Sequence, residues 1–106
     1  MRQGDLRKHM RVGHHLPSKL FKLGLPSAVS GVTENVSAGG ALIKTRDWRA
    51  FQPLDQTVVT FYIPPTVSGQ DRPIASQSFA IVTRVDKKNA EVAVKFGKVL
   101  EQFKRI

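Results

Sequence analysis

A chain of 106 residues, 41% of them apolar, can build one modest core and leaves little room for a second domain. Seventeen Lys and Arg against eight Asp and Glu give a formal net charge of +9, which favours anionic partners: nucleotides, nucleic acid, or an acidic protein or membrane surface. With no cysteine the fold cannot rest on disulfides or thiolate-bound zinc, no apolar run is long enough to span a membrane, and none follows the basic Met1–Asp5 as a signal peptide would require, so the expectation is a soluble cytoplasmic domain.

Residues 1–15 are polar and basic, with no apolar periodicity, and read as an arm. From Leu16 the chain reads as short strands separated by turn residues. Lys19–Leu25 alternates Phe21, Leu23 and Leu25 with Lys22 and Gly24, as a half-buried strand does. Pro26-Ser27 turns the chain into a second strand, Val29–Glu34, and Ala38-Gly39-Gly40 breaks it before a third, Ala41–Lys44. A longer connection, Asp47–Pro53, holds Trp48 and Phe51. Thr57–Ile63 is the clearest strand, with Val59, Phe61 and Ile63 on one face. Pro64-Pro65 ends it, because proline supplies no ladder donor. A loop rich in Ser, Gly, Asp and Pro follows, to Pro73. Ser78–Val85 sets Phe79, Ile81, Thr83 and Val85 against Ala80, Val82 and Arg84. The polar turn Asp86–Asn89 leads into Glu91–Phe96, completing a hairpin. Val99, Leu100, Phe103 and Ile106 then form one apolar stripe of a short C-terminal α-helix. Six strands and a terminal helix suggest a small antiparallel barrel, residues 16–106, behind the arm.

Catalytic patterns are weak. His14 and His15 have no partner at helical metal-ligand spacing. Ser37 lacks a nucleophile-elbow context, and Gly39-Gly40 is followed by Ala41-Leu42 rather than the Lys-Ser or Lys-Thr of a phosphate loop. The expectation is therefore no enzyme, no metal and no cofactor. Two local patterns remain. Arg7-Lys8-His9-Met10-Arg11 places two arginines four positions apart in the basic arm. Asn35-Val36-Ser37-Ala38-Gly39-Gly40 sits where one strand turns into the next, and by itself it reads as a turn whose Asn and Ser bond nearby backbone and whose glycines take positive φ.

Arg-x-x-x-Arg, then 23 intervening residues, then Asn-x-Ser-x-x-Gly together resemble the signature of the PilZ family. The likeness runs from about Leu6 to Ile106, through Leu54, Val59, Phe61, Ile63-Pro64, Phe79–Val85 and Val92–Phe96. It implies an all-β, six-stranded antiparallel β-barrel with flanking helices, and a bacterial receptor for the second messenger cyclic di-GMP. By that resemblance Arg7 and Arg11 reach over the ligand from a flexible arm, Asn35 and Ser37 hydrogen-bond it from the barrel, and Gly39 and Gly40 let the main chain come close. Asn35 stands where the family often has aspartate, so guanine meets one neutral acceptor rather than two charged ones. Leu6 offers no stacking plane, which implies one ligand per domain. A protein partner that reads the liganded state is also implied. Two rivals remain. One is single-stranded nucleic acid binding, disfavoured because such domains expose aromatic platforms whereas here most Phe lie in core-like alternation. The other is a PilZ fold that serves purely as a protein-interaction module without ligand, disfavoured because the Arg, Arg, Asn, Ser and Gly set is complete.

Overall fold

Alternation of β-branched and aromatic residues with polar ones writes most of this architecture directly. In the computed structural model, which describes residues 15–69 and 71–97, six strands form: β1 (Pro17–Phe21), β2 (Val29–Val36), β3 (Gly40–Lys44), β4 (Gln56–Ile63), β5 (Ile74–Asp86) and β6 (Glu91–Phe96). They close into an antiparallel barrel in the order β1-β2-β3-β6-β5-β4, with β4 returning to β1. Closure gives every strand a partner on each side. The all-β, six-stranded expectation therefore holds. The C-terminal helical stripe Val99, Leu100, Phe103 and Ile106 lies outside the described residues, as does the arm that carries Arg7 and Arg11.

The clearest strand is also the most regular. β4 buries Thr57, Val59, Phe61 and Ile63 and turns the alternate residues outward. Around them Leu20, Val36, Ile43, Val82 and Val92 are fully enclosed, and Phe61 meets Phe96 edge-to-face at 5.5 Å between ring centres. A 3-10 turn, Trp48–Ala50, delivers Phe51 into the same core. After β4, Pro65 opens a one-turn helix, α1 (Pro65–Ser68), where the missing amide costs nothing. Gly69 closes it with φ 77, a left-handed cap that suits glycine.

Three expectations change. The first strand ends at Phe21 rather than Leu25: Gly24 turns the chain at φ 99 and Leu23 is 91% exposed. Its core face is Leu16, Ser18 and Leu20, the opposite parity to the one periodicity suggests, because the run Phe21-Leu23-Leu25 straddles a turn. β5 begins at Ile74, earlier than the alternation signals, because residues 74–81 pair with β4 while residues 80–86 pair with β6. One strand thus serves two neighbours. Its buried side chains are the small ones, Ser76, Ala80 and Val82, whereas Phe79 is 78% exposed. Phe79 lies in an outward row with Val58 and Phe21. Core alternation therefore describes Phe61 and Phe96 but not Phe79, and the absence of exposed aromatics no longer argues against nucleic acid.

Candidate functional site

The Asn-x-Ser-x-x-Gly segment spans the end of β2, a tight turn and the first residue of β3. Its phase depends on a β-bulge. Thr33 pairs with Ile43 and Asn35 with Leu42, so Glu34 is the extra residue. Thr33 is buried, its hydroxyl accepting the Leu16 amide at 2.7 Å, and Val36 is buried too. Strict alternation from Thr33 would turn Asn35 inward. The bulge restarts the count, so Asn35 takes the outer face opposite Leu42 while Val36 returns to the core. Beside it His15 Nδ1 stands 3.0 Å from the Thr33 carbonyl oxygen and 3.9 Å from the Glu34 carboxylate, which ties the start of the described chain to the bulge.

Beyond Val36 the turn is held by its own polar atoms. The Ser37 amide donates to the Gly40 carbonyl at 2.9 Å; the Ser37 hydroxyl accepts the Gly39 amide at 3.2 Å and donates to the Gly40 carbonyl at 3.4 Å. Ser37 is buried, only 6% exposed, and Ala38 only 3%. The Gly39 carbonyl accepts the Phe96 amide at 2.9 Å, stitching the turn to the end of β6. The glycines of the turn do not take the positive φ expected of them: among the described glycines only Gly24 and Gly69 do. Gly40 is needed for a different reason. A Cβ there would stand 2.5 Å from the Val94 carbonyl oxygen, so the β3–β6 pairing tolerates no side chain.

Of the six residues singled out in the sequence, Asn35, Ser37, Gly39 and Gly40 therefore share one corner of the barrel, where β2, β3 and β6 meet. Arg7 and Arg11 lie outside the described residues. Ser37 builds the turn, and what it offers a ligand is a rigid main chain more than a free hydroxyl. The register also brings in residues that the motif does not contain. Asn35, Leu42, Ala93 and Arg84 form one outward row across β2, β3, β6 and β5. A second row begins at Gly40 and continues through Lys95 and Ile81. Strand alternation marks Leu42, Ala93, Lys95 and Ile81 as outward-facing, the two bulges turn Asn35 and Arg84 the same way, and only the ring order makes them neighbours.

Elsewhere the electrostatics are local. Lys22 Nζ lies 2.8 Å from Asp55 Oδ2, with both side chains mostly covered, and the Gln52 amide donates to the same oxygen at 2.9 Å. The hydrogen bond from Lys22 holds the Asp55 carboxyl below its usual 3.8. Asp86 is lowered as well, chiefly by the Asn89 side-chain amide, which donates to it at 2.8 Å. Among the described residues no group of three or more His, Asp or Glu stands together to hold a metal, and no helix is long and apolar enough to cross a membrane.

A closed six-stranded antiparallel barrel with a self-braced Asn-x-Ser-x-x-Gly turn at one corner defines the class of small β-barrel domain to which this chain belongs. The PilZ domain profile matches residues 5–105, and the chain belongs to the PilZ domain family. The fold is similar to that of the Bacillus subtilis inhibitor of motility MotI/DgrA, with a TM-score of 0.71 at 16% identity over 95% of this chain; the chain spans only 46% of that protein. It is similar also to the PilZ domain of CeSA from a cellulose-synthesizing bacterium, with a TM-score of 0.62 at 20% identity, covering 82% of this chain and 79% of that one. At the sequence level no curated protein matches the chain. The family is one of cyclic di-GMP receptors, regulatory modules that work with protein partners.

Proposed function

We propose that this domain binds cyclic di-GMP in the cytoplasm and relays its occupancy to a protein partner. Arg7 and Arg11 close over the ligand, while Asn35 and the Ser37–Gly40 turn receive it. The observation that carries the reading is the bulge in β2: it turns Asn35 outward beside a turn whose main chain is already braced, so the barrel half of the site needs little ordering when ligand arrives. The arginines supply what the barrel half lacks. Their planar forks pair with phosphate oxygens or with guanine O6 and N7, and their faces stack on bases. Ordering of the arm on the barrel is the switch a partner would read.

Charge-assisted hydrogen bonds contribute about 1.5–3 kcal/mol each and base stacking roughly 1–3 kcal/mol, of which arm ordering returns several. A net of about −8 kcal/mol corresponds to a dissociation constant of about 1 μM. Isothermal titration of the full chain with cyclic di-GMP tests the proposal, with Arg11→Ala and Asn35→Ala as weakened variants and cyclic di-AMP as the guanine control. Failure of a single-stranded oligonucleotide to displace the bound dinucleotide separates this reading from nucleic-acid binding. No heat at high micromolar protein, or equal binding by Arg11→Ala, overturns it.

A further inference from the structure

The outer face beside Asn35 carries a small apolar surface bordered by polar and basic side chains. Leu42 and Ala93 stand directly opposite each other on β3 and β6, both half-buried and both turned outward. Together they make a small flat apolar floor. Asn35 borders it on β2 and Arg84 on β5. Two bulges bracket it at the same level, one between Thr33 and Asn35 and the other between Val82 and Arg84. Bulges re-aim side chains at sites on sheets; here each one turns a polar side chain toward the edge of the same floor.

Its charges are placed unequally. Lys95, two residues beyond Ala93 on the same face, is exposed and pairs across the strands with Gly40, which has no side chain to cover it. Lys95 therefore flanks the floor on the side nearest the Ser37–Gly40 turn. On the other side Lys44 stands opposite Glu91, so that cation faces a carboxylate. Arg84 is loosely engaged: its guanidinium is 3.7 Å from the Asp86 carboxylate and its side chain is 59% exposed. A pair so exposed holds the guanidinium weakly. Ala93, the neighbour on its row, presents only a methyl group, and the nearby Thr83 hydroxyl is already donated to the Ala93 carbonyl at 3.2 Å. The distance across the row from Asn35 to Arg84 is three strand spacings, about 14 Å, which an arginine on its long stem can shorten to the width of a base. An apolar floor with a polar amide at one edge, a guanidinium at the other and a lysine beside the turn matches a purine joined to a phosphate.

We propose that Leu42 and Ala93 form the floor under one guanine of the dinucleotide, with Arg84 folding over that base and Lys95 neutralising the phosphate nearest the turn. This rests on the cyclic di-GMP reading above and extends it to residues outside the signature. Arginine suits the first role because its plane stacks on a base, and lysine suits the second as a compact charge.

The test is titration of the full chain with cyclic di-GMP, comparing wild type with Arg84→Ala, Arg84→Lys, Lys95→Ala and Ala93→Glu. Lys19→Ala serves as a charge-matched control: Lys19 lies on β1, across the ring from β6. Losing the stacked guanidinium weakens binding about tenfold, and Arg84→Lys fails to restore it, because an ammonium has no plane. Ala93→Glu weakens binding by roughly thirtyfold or more, by placing a carboxylate under the base and near the phosphates. Lys19→Ala stays within about twofold of wild type. Backbone amide shifts of wild type supply a readout independent of substitution: Leu42 and Ala93 move on titration, and Thr60 on β4 does not. If Asn35→Ala weakens binding while Arg84→Ala and Ala93→Glu bind as wild type, the floor is wrong and the parent reading stands. If Lys19→Ala loses as much as Arg84→Ala, only long-range charge is at work and the floor is likewise wrong. If wild type gives no heat, both fall.

Discussion

Replacing Gly40 with alanine probes the corner where turn, β3 and β6 converge. The added methyl would sit 2.5 Å from the Val94 carbonyl oxygen, against a floor near 3.0 Å for real contacts of that kind, so β3 and β6 must part by half an ångström or more at the Gly40–Lys95 pair. Val94 cannot move aside as a side-chain tip could, because the clashing atom is main chain within a paired strand. Forcing extra volume into such packing costs about 1–3 kcal/mol. The unfolded chain loses some freedom when glycine becomes alanine, which offsets roughly 0.4–1 kcal/mol where φ is ordinary, as it is here. The net expectation is a destabilisation of about 1–2 kcal/mol, each kcal/mol lowering Tm by about 4–8 °C in a domain of this size. Urea and thermal unfolding measure it. Gly97→Ala is the internal control, since its methyl would meet the Phe79 carbonyl oxygen at an ordinary 3.6 Å and should be close to neutral. The same displacement tilts the Gly39 carbonyl away from the Phe96 amide, so on the proposed reading cyclic di-GMP affinity should fall with stability. A Gly40→Ala protein as stable as Gly97→Ala would refute the close approach and the reason given for glycine in the motif.

Two further outcomes test the packing and the electrostatics. Leu20→Ala, which empties a fully enclosed site, should cost about 2–5 kcal/mol, whereas Leu23→Ala on the exposed turn should stay within about 0.5 kcal/mol of wild type; equal losses in urea unfolding would return the first strand to the longer extent that periodicity suggests. The Asp55 carboxyl is held below its usual value by Lys22, so its ionised form is favoured in the folded state. That contribution is complete above the pH at which the unfolded carboxylate ionises and disappears as pH falls through the lower folded value. Between pH 5 and acid, wild type should therefore lose more of its urea midpoint than Asp55→Asn does, and parallel curves would show that the Lys22–Asp55 contact contributes nothing.

How far the sequence reaches can be judged residue by residue. β4 was readable in full because Thr57, Val59, Phe61 and Ile63 bury on one side and the proline pair stops the strand. β6 was readable because Val92, Val94 and Phe96 alternate cleanly after a polar turn. The motif residues were visible too, since their types and spacing are local properties of the chain. Face assignment in β1 and β5 was not. Hydropathy favours Phe79 over Ala80 as a core residue, yet the interior of a six-stranded ring has room for the smaller side chain beside Phe96 and Val82, and Phe79 faces out.

Composition and spacing by themselves thus made legible an all-β domain, the family signature and the turn at Ser37–Gly40, and raised the expectation of an anionic ligand. Only the tertiary structure decided which way Asn35 faces, because a single bulged residue, Glu34, reverses the parity of everything after it. It alone decided why Gly40 is glycine: a clash with Val94, more than fifty positions away along the chain, rather than a turn conformation. And it alone made Leu42, Ala93, Arg84 and Lys95 neighbours. Pairing between β3 and β6 joins segments that sequence order keeps apart, and such pairing is set by closing the ring around a shared core rather than by any local pattern.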